Sequence, residues 1–147
     1  MIAKILASLE HDFDELTTEC TFPMLGDDVL VVFDAAHGDT VSEKQKAEFE
    51  WLHQNIEKLY PQVEAQVFAY YQSEQERHRA QLTGDADRAM PLLQNQSDVW
   101  SQVTHPGIWI RSDEKNNEIH LEYECSFDKD DGLRVVIANR EIERVGI

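Results

Sequence analysis

The sequence predicts an α+β fold over residues 1–147: a mostly antiparallel sheet of about six strands, a C-terminal four-strand meander, and two main helices packed on one face. Three patterns predict it. Residues 119–127 alternate apolar and polar side chains, residues 49–70 repeat apolar side chains every three or four positions, and turn residues separate short β-rich runs between Gly107 and Gly146. A chain of this length buries about two thirds of its unfolded surface, so one core suffices without staples.

The opening residues fit two patterns. Ile5, Leu6, Leu9, Phe13 and Leu16 suit an amphipathic helix about as well as a strand followed by an acidic loop. The acidic residues interspersed there favour an irregular opening with a strand near Thr18 to Phe22. Phe22 to Asp28 then reads as a strand end and turn, and Val29 to Phe33 as a strand covered on both sides or central in the sheet, because its apolar run does not alternate. Ala35 to Thr40 is a loop.

Ser42-Glu43-Lys44-Gln45 has the form of a capping box, so a helix begins there. Its apolar stripe is Phe49, Leu52, Ile56, Leu59, Val63, Val67 and Tyr70. The stripe keeps phase across Pro61, which cannot donate a helical hydrogen bond. Either one helix kinks there or a second begins; two helical segments are favoured, the second ending between Gln75 and Leu82. Gly84 and Pro91 break the next stretch, Ala86 to Met90 forms a turn of helix, and Ser97-Asp98-Val99-Trp100 caps another short one before the His105-Pro106-Gly107 turn.

The meander follows. Ile108 to Ile110 is its first strand and the polar cluster Ser112 to Asn117 a loop. In the next strand Ile119, Leu121, Tyr123, Cys125 and Phe127 point inward, while His120, Glu122, Glu124 and Ser126 face water. Asp128 to Gly132 is a turn in which Gly132 takes a positive φ. Leu133 to Ala138, the Asn139-Arg140 reversal, and Glu141 to Val145 complete the sheet. Tyr70 and Tyr71 are core or near it.

The formal net charge is −16, and the first 40 residues hold nine acids against Lys4 alone. A phosphate backbone wants a basic patch, so nucleic acid is excluded as a ligand, while basic proteins and cations suit this surface. No run approaches the ~18 apolar residues of a membrane span. Lys4 interrupts the apolar run Ile2 to Leu9, so no signal peptide is read there, and a cytoplasmic protein with no membrane partner is expected. Cys20 and Cys125 are read as small buried apolar residues, not as a disulfide.

No phosphate-cradling glycine loop, paired-histidine helix or nucleophile elbow is present, and no cofactor is implied. The best local constellation is His120, Glu122 and Glu124, three side chains on one face of one strand. Their Cβ atoms stand ~7 Å apart, within reach of a basic group or a shared cation. Trp51 and Trp109 lie off the apolar patterns and are further candidates for a partner surface; Trp100 is assigned to packing. For a metal, the candidates are His120, Glu122, Glu124 and Asp128. The acids Asp128, Asp130 and Asp131 lack the spacing of a calcium loop and suit a turn.

Phe22-Pro23, the strand Val29 to Phe33, Ala69-Tyr70-Tyr71, His105-Pro106-Gly107-Ile108 and the run Cys125 to Leu133 together resemble a bacterial family of small acidic α+β proteins. Its members carry a tryptophan-aspartate, a histidine and Gly-Leu at the second meander turn, and a closing glycine. Phe127 stands for the tryptophan and Asp131 for the histidine here, and Gly146 is the closing glycine. The resemblance covers the chain from about Phe22 and implies a domain of unknown function, some of whose relatives look like immunity proteins of bacterial toxin systems. It brings no enzyme activity.

Three function classes follow. The leading one is a non-enzymatic acidic domain that binds a basic protein, in its most specific form an immunity protein occupying the basic site of a toxin. A metal-binding protein or metal-dependent hydrolase using the His/Glu cluster is the second. An oligomeric accessory protein, self-associating through exposed tryptophans, is the third.

Overall fold

A computed structural model describes residues 2–12, 15–34, 40–81, 90–111 and 117–146. In chain order the elements are α1 (Ile2–Ala7), β1 (Glu10–Asp12), β2 (Glu15–Phe22), β3 (Gly26–Asp34), α2 (Glu43–Gln81), a 3-10 turn (Gln96–Ser101), β4 (Val103–Ile110), β5 (Glu118–Cys125), β6 (Asp128–Ala138) and β7 (Glu141–Gly146). The fold is α+β, as expected, with seven strands in one mixed sheet whose spatial order follows the sequence. Every neighbouring pair is antiparallel except β3 and β4, which run parallel. A parallel pair needs a long crossover, and α2 lies within it.

The opening is not irregular. Ile2 to Ala7 takes the helical alternative, with Ile5 in the core, and β2 starts at Glu15, earlier than expected. The Ser42 capping box forms as its residues dictate: the Gln45 amide donates to Ser42 Oγ at 3.1 Å, and Gln45 Oε1 accepts from the Ser42 amide at 2.9 Å. From there the expected pair of helices is one continuous helix, with Pro61 inside it. Pro61 and Glu57 are both exposed, so the carbonyl that a proline leaves without its helical partner faces water. The proline therefore costs one hydrogen bond and leaves the buried stripe in phase. That stripe is Phe49, Leu52, Ile56, Leu59, Val63, Val67 and Tyr71; Tyr71 replaces the expected Tyr70, which is half-buried. A helix of this length is about 58 Å long, while seven strands side by side span about 29 Å and the nine residues of β3 about 30 Å. The sheet therefore cannot cover all of α2, and burial ends at Gln75, with Glu76, Arg77, Arg79 and Ala80 exposed.

The core is a single layer between α2 and one face of the sheet, to which β5 gives Ile119, Leu121, Tyr123 and Cys125 and β6 gives Leu133, Val135 and Ile137. Phe127 is half-buried and packs edge-on to Tyr71 at 5.5 Å. Both cysteines are free, Cys125 buried and Cys20 half-buried. Burial raises both thiols, that of Cys125 to about 12 with a further push from Asp128.

The four strands of the meander pair in the expected order but with different limits. Strand β4 begins at Val103 and runs through the expected His105-Pro106-Gly107 turn as a bulge, in which His105 and Pro106 stand opposite Tyr123 alone. Proline is tolerated there because a bulge residue owes the ladder no hydrogen bond. Strand β6 begins at Asp128, so the expected turn Asp128 to Gly132 is part of a strand. Four residues of β6, Lys129 to Gly132, oppose Glu124 alone, and the turn chemistry works inside that wide bulge. Asp128 Oδ1 accepts from the Asp131 amide at 3.1 Å, and Gly132 has φ +71°, where a Cβ would lie 2.5 Å from the Tyr123 carbonyl oxygen. Asn139 and Arg140 both take positive φ, the geometry of a two-residue hairpin. Gln96 to Ser101 forms a 3-10 turn in place of the expected helix, capped by Asn95. The expected loops within 35–39 and 112–116, and the helical turn of 86–89, lie outside the described residues. Among the described residues no helix is long and apolar enough to cross a membrane.

A groove on the open face of the sheet

The sheet face away from α2 carries a second, smaller buried layer. Val32 and Val136 are 1% and 0% exposed yet lie outside the main core. Cross-strand partners share a face, and the registers place Thr17, Val32, Trp109, His120, Val136 and Arg144 in one row across six strands. The row beside it is Glu19, Leu30, Gly107, Glu122, Arg134 and Gly146.

The structure brings four of the five partner-binding candidates onto this face: Trp109, His120, Glu122 and Glu124. His120 departs from expectation, since it is only 6% exposed instead of wet. Trp109 and Val136 flank it in its row and exclude water. Burial therefore pulls its imidazole below the ordinary value, against the Glu118 carboxylate 3.4 Å from Nε2, which raises it; Arg134 and Arg111 add to the lowering. Glu122 is half-buried and receives Arg134 Nε on Oε1 at 2.7 Å, while exposed Glu124 lies 3.0 Å from His105 Nδ1. Arg111 approaches Asp34 at 3.8 Å.

Trp51, the fifth candidate, sits on α2 and packs against the main core. Arg140 lies 5.5 Å from the centre of its ring and reaches the buried Glu48 at 3.4 Å. Trp100 is wedged between Tyr60 and Tyr123 and donates Nε1 to Glu64 at 2.8 Å. All three tryptophans are half-buried. Asp128 pairs with Cys125, whose side chain faces α2, so it does not join His120, Glu122 and Glu124. Among the described residues no three His, Cys, Asp or Glu side chains come together as a metal-holding group.

A groove of about 590 Å³ opens where β4 parts from β3. The two strands pair only from Leu30 and Gly107 onward. Before those residues the β4 bulge swings away, and the gap is lined by the β2–β3 turn on one side and by β5 on the other. The lining includes Asp27, Asp28, Leu30, His105, Trp109, Glu122 and Glu124. Sequence reasoning found Trp109, Glu122 and Glu124 but missed Asp27, Asp28, Leu30, His105 and the fork itself. The usable signal was Pro106-Gly107 directly before β-rich residues, which marks a bulge as readily as a turn. Two further hollows, of about 420 and 560 Å³, lie beside α1 and beside the β6–β7 turn and contain none of these candidates.

Chemically the groove offers four carboxylates, an exposed leucine and a tryptophan side chain, with no lysine or arginine among the described residues of its lining. That combination attracts a cation and shelters an apolar stem. No curated protein and no solved structure matches the chain. Over residues 5–147 the chain matches the model of DUF6985, a domain of unknown function, and it belongs to that family.

Proposed function

We propose that this protein is a non-enzymatic acidic binding domain that takes a basic protein segment on the open face of its sheet. The observation that carries the proposal is the groove where β3 and β4 fork: Asp27, Asp28, Glu122 and Glu124 line it, and among the described residues no lysine or arginine does, although Arg134 pairs with Glu122 from beside it. The net charge of −16 acts at longer range, steering a cationic partner toward the surface before contact. Neutralising a bacterial toxin by covering its basic site, in the cytoplasm of the producing cell, is the most specific form of this reading, and the resemblance to immunity-like relatives supports it.

Fluorescence anisotropy of a labelled nona-arginine peptide tests it. Binding at low salt, weakened about tenfold as ionic strength rises from ~0.02 to ~0.2 M, is the expected result, because the Debye length falls from about 20 Å to below 10 Å. No binding at low salt would defeat the proposal.

A further inference from the structure

We propose that the groove seats one arginine side chain of the partner directly over Gly107, which deepens the binding reading above and rests on it. In the row Leu30, Gly107, Glu122 the middle position has no side chain, so a slot is left between the outer two, whose strands lie about 9.6 Å apart. The fold does not demand glycine there. Gly107 has no positive φ, and a Cβ on it would meet Leu30 O at 3.5 Å, Leu30 Cβ at 3.9 Å and Glu122 O at 4.0 Å, all ordinary contacts. Gly107 is itself buried, and the missing side chain keeps a Cβ out of the groove that it lines.

The walls select the visitor. Leu30, 39% exposed, gives an apolar side for an aliphatic stem, and Trp109, two residues along β4 on the same face, gives a ring for a planar cation. Glu122 and Glu124 stand on the β5 side and Asp27 and Asp28 on the other. Both glutamates already meet side chains of this chain, Glu122 the Arg134 guanidinium and Glu124 the His105 ring, so their carboxylates are turned toward this face. The β3 and β4 backbones at the fork have no ladder partner in each other, which leaves main-chain acceptors beside the carboxylates. A guanidinium has five donors in a plane and stacks on an indole while pairing with carboxylates; an ammonium is a compact, strongly hydrated point charge. The slot therefore suits arginine better than lysine.

The test is an NMR titration of the full chain at low ionic strength with acetyl-Gly-Arg-Gly-amide and its lysine and citrulline counterparts, following the Trp109 indole N–H. The arginine peptide should shift that signal to saturation, with the other two roughly fivefold weaker or more. Gly107→Val fills the slot without changing charge and should abolish the response. Leu30→Arg, at an exposed position that does not threaten folding, supplies an internal occupant and should do the same. Gly107→Val, which leaves every carboxylate in place, should keep most of its nona-arginine binding. A Trp109 signal that ignores the arginine peptide, responds equally to lysine, or still responds in both variants overturns the slot. Nona-arginine binding that persists in those cases leaves the wider acidic reading standing, whereas wild-type protein that binds no nona-arginine defeats both.

Discussion

Gln45 Nε2 donates a hydrogen bond of 3.2 Å to the carbonyl oxygen of Ile110, 65 residues further along the chain. The same nitrogen donates to Asp34 O at 2.6 Å, so one side chain ties the ends of the two parallel strands to the first turn of α2. Its oxygen meanwhile completes the capping box with Ser42. Local helix capping and the parallel β3–β4 pair thus share one residue, itself 2% exposed.

Gln45→Ala should accordingly cost about 2–4 kcal/mol, since it leaves buried carbonyl groups without a donor. Ser42→Ala, which removes only the cap, should cost about 1 kcal/mol. Urea denaturation of the two variants gives the comparison; equal losses would mean that the contacts to β3 and β4 contribute nothing.

Pro61 makes a test of opposite sign. In a continuous helix an exposed interior proline is unfavourable by up to about 3 kcal/mol relative to alanine. Pro61→Ala should therefore raise the thermal midpoint, whereas a proline starting a second helix would show little gain or a loss on replacement.

The sequence and the structure agree where the pattern is local. The capping box, the inward row Leu121, Tyr123 and Cys125, and the Asn139-Arg140 reversal were legible because each depends on neighbours within a few residues. Pro61 was misread because a proline's cost depends on which side of the helix it lies, and only the packed structure sets that. Asp128 to Gly132 has turn chemistry and performs it inside a strand, a distinction made by the register against Tyr123. The groove was half legible: alternation put Glu122 and Glu124 on one face, but Asp27, Asp28 and His105 reach it through the β3–β4 fork, a contact between segments nearly 80 residues apart that no periodicity reports. His120 was taken as wet because alternation gives the face and not what Trp109 and Val136 cover.

His120 gives a pH dependence. Its folded value lies below the ordinary 6.5, chiefly through burial, so as pH falls through 6.5 the unfolded chain takes up a proton that the folded one refuses. Stability from this site is full above pH 6.5 and is lost progressively as pH drops toward the folded value. An NMR titration of the His120 ring should show a midpoint below 6.5, and His120→Gln should flatten that part of the stability profile. A midpoint above 6.5 would mean that Glu118 outweighs burial.

Tyr123 presents the reverse of the usual polar deletion. Its hydroxyl is buried and has no hydrogen-bond partner among the described residues, so removing it returns the cost of desolvating an unpaired group. Tyr123→Phe should be neutral or stabilising by about 1 kcal/mol, with the stacking against Trp100 retained. A loss above about 1 kcal/mol in thermal or urea unfolding would reveal a partner for that hydroxyl.

On the proposal made above, the groove, and not the net charge alone, binds the basic partner. The most direct measurement compares the nona-arginine affinity of Glu122→Lys/Glu124→Lys with that of Glu50→Lys/Glu57→Lys, which changes the net charge equally at exposed positions of α2. Reversal in the groove should weaken binding by tenfold or more, against roughly twofold for the helix pair, because close charges outweigh those beyond about one Debye length. Equal weakening by the two pairs would mean that the groove has no part in binding and reduce the protein to a uniformly acidic surface.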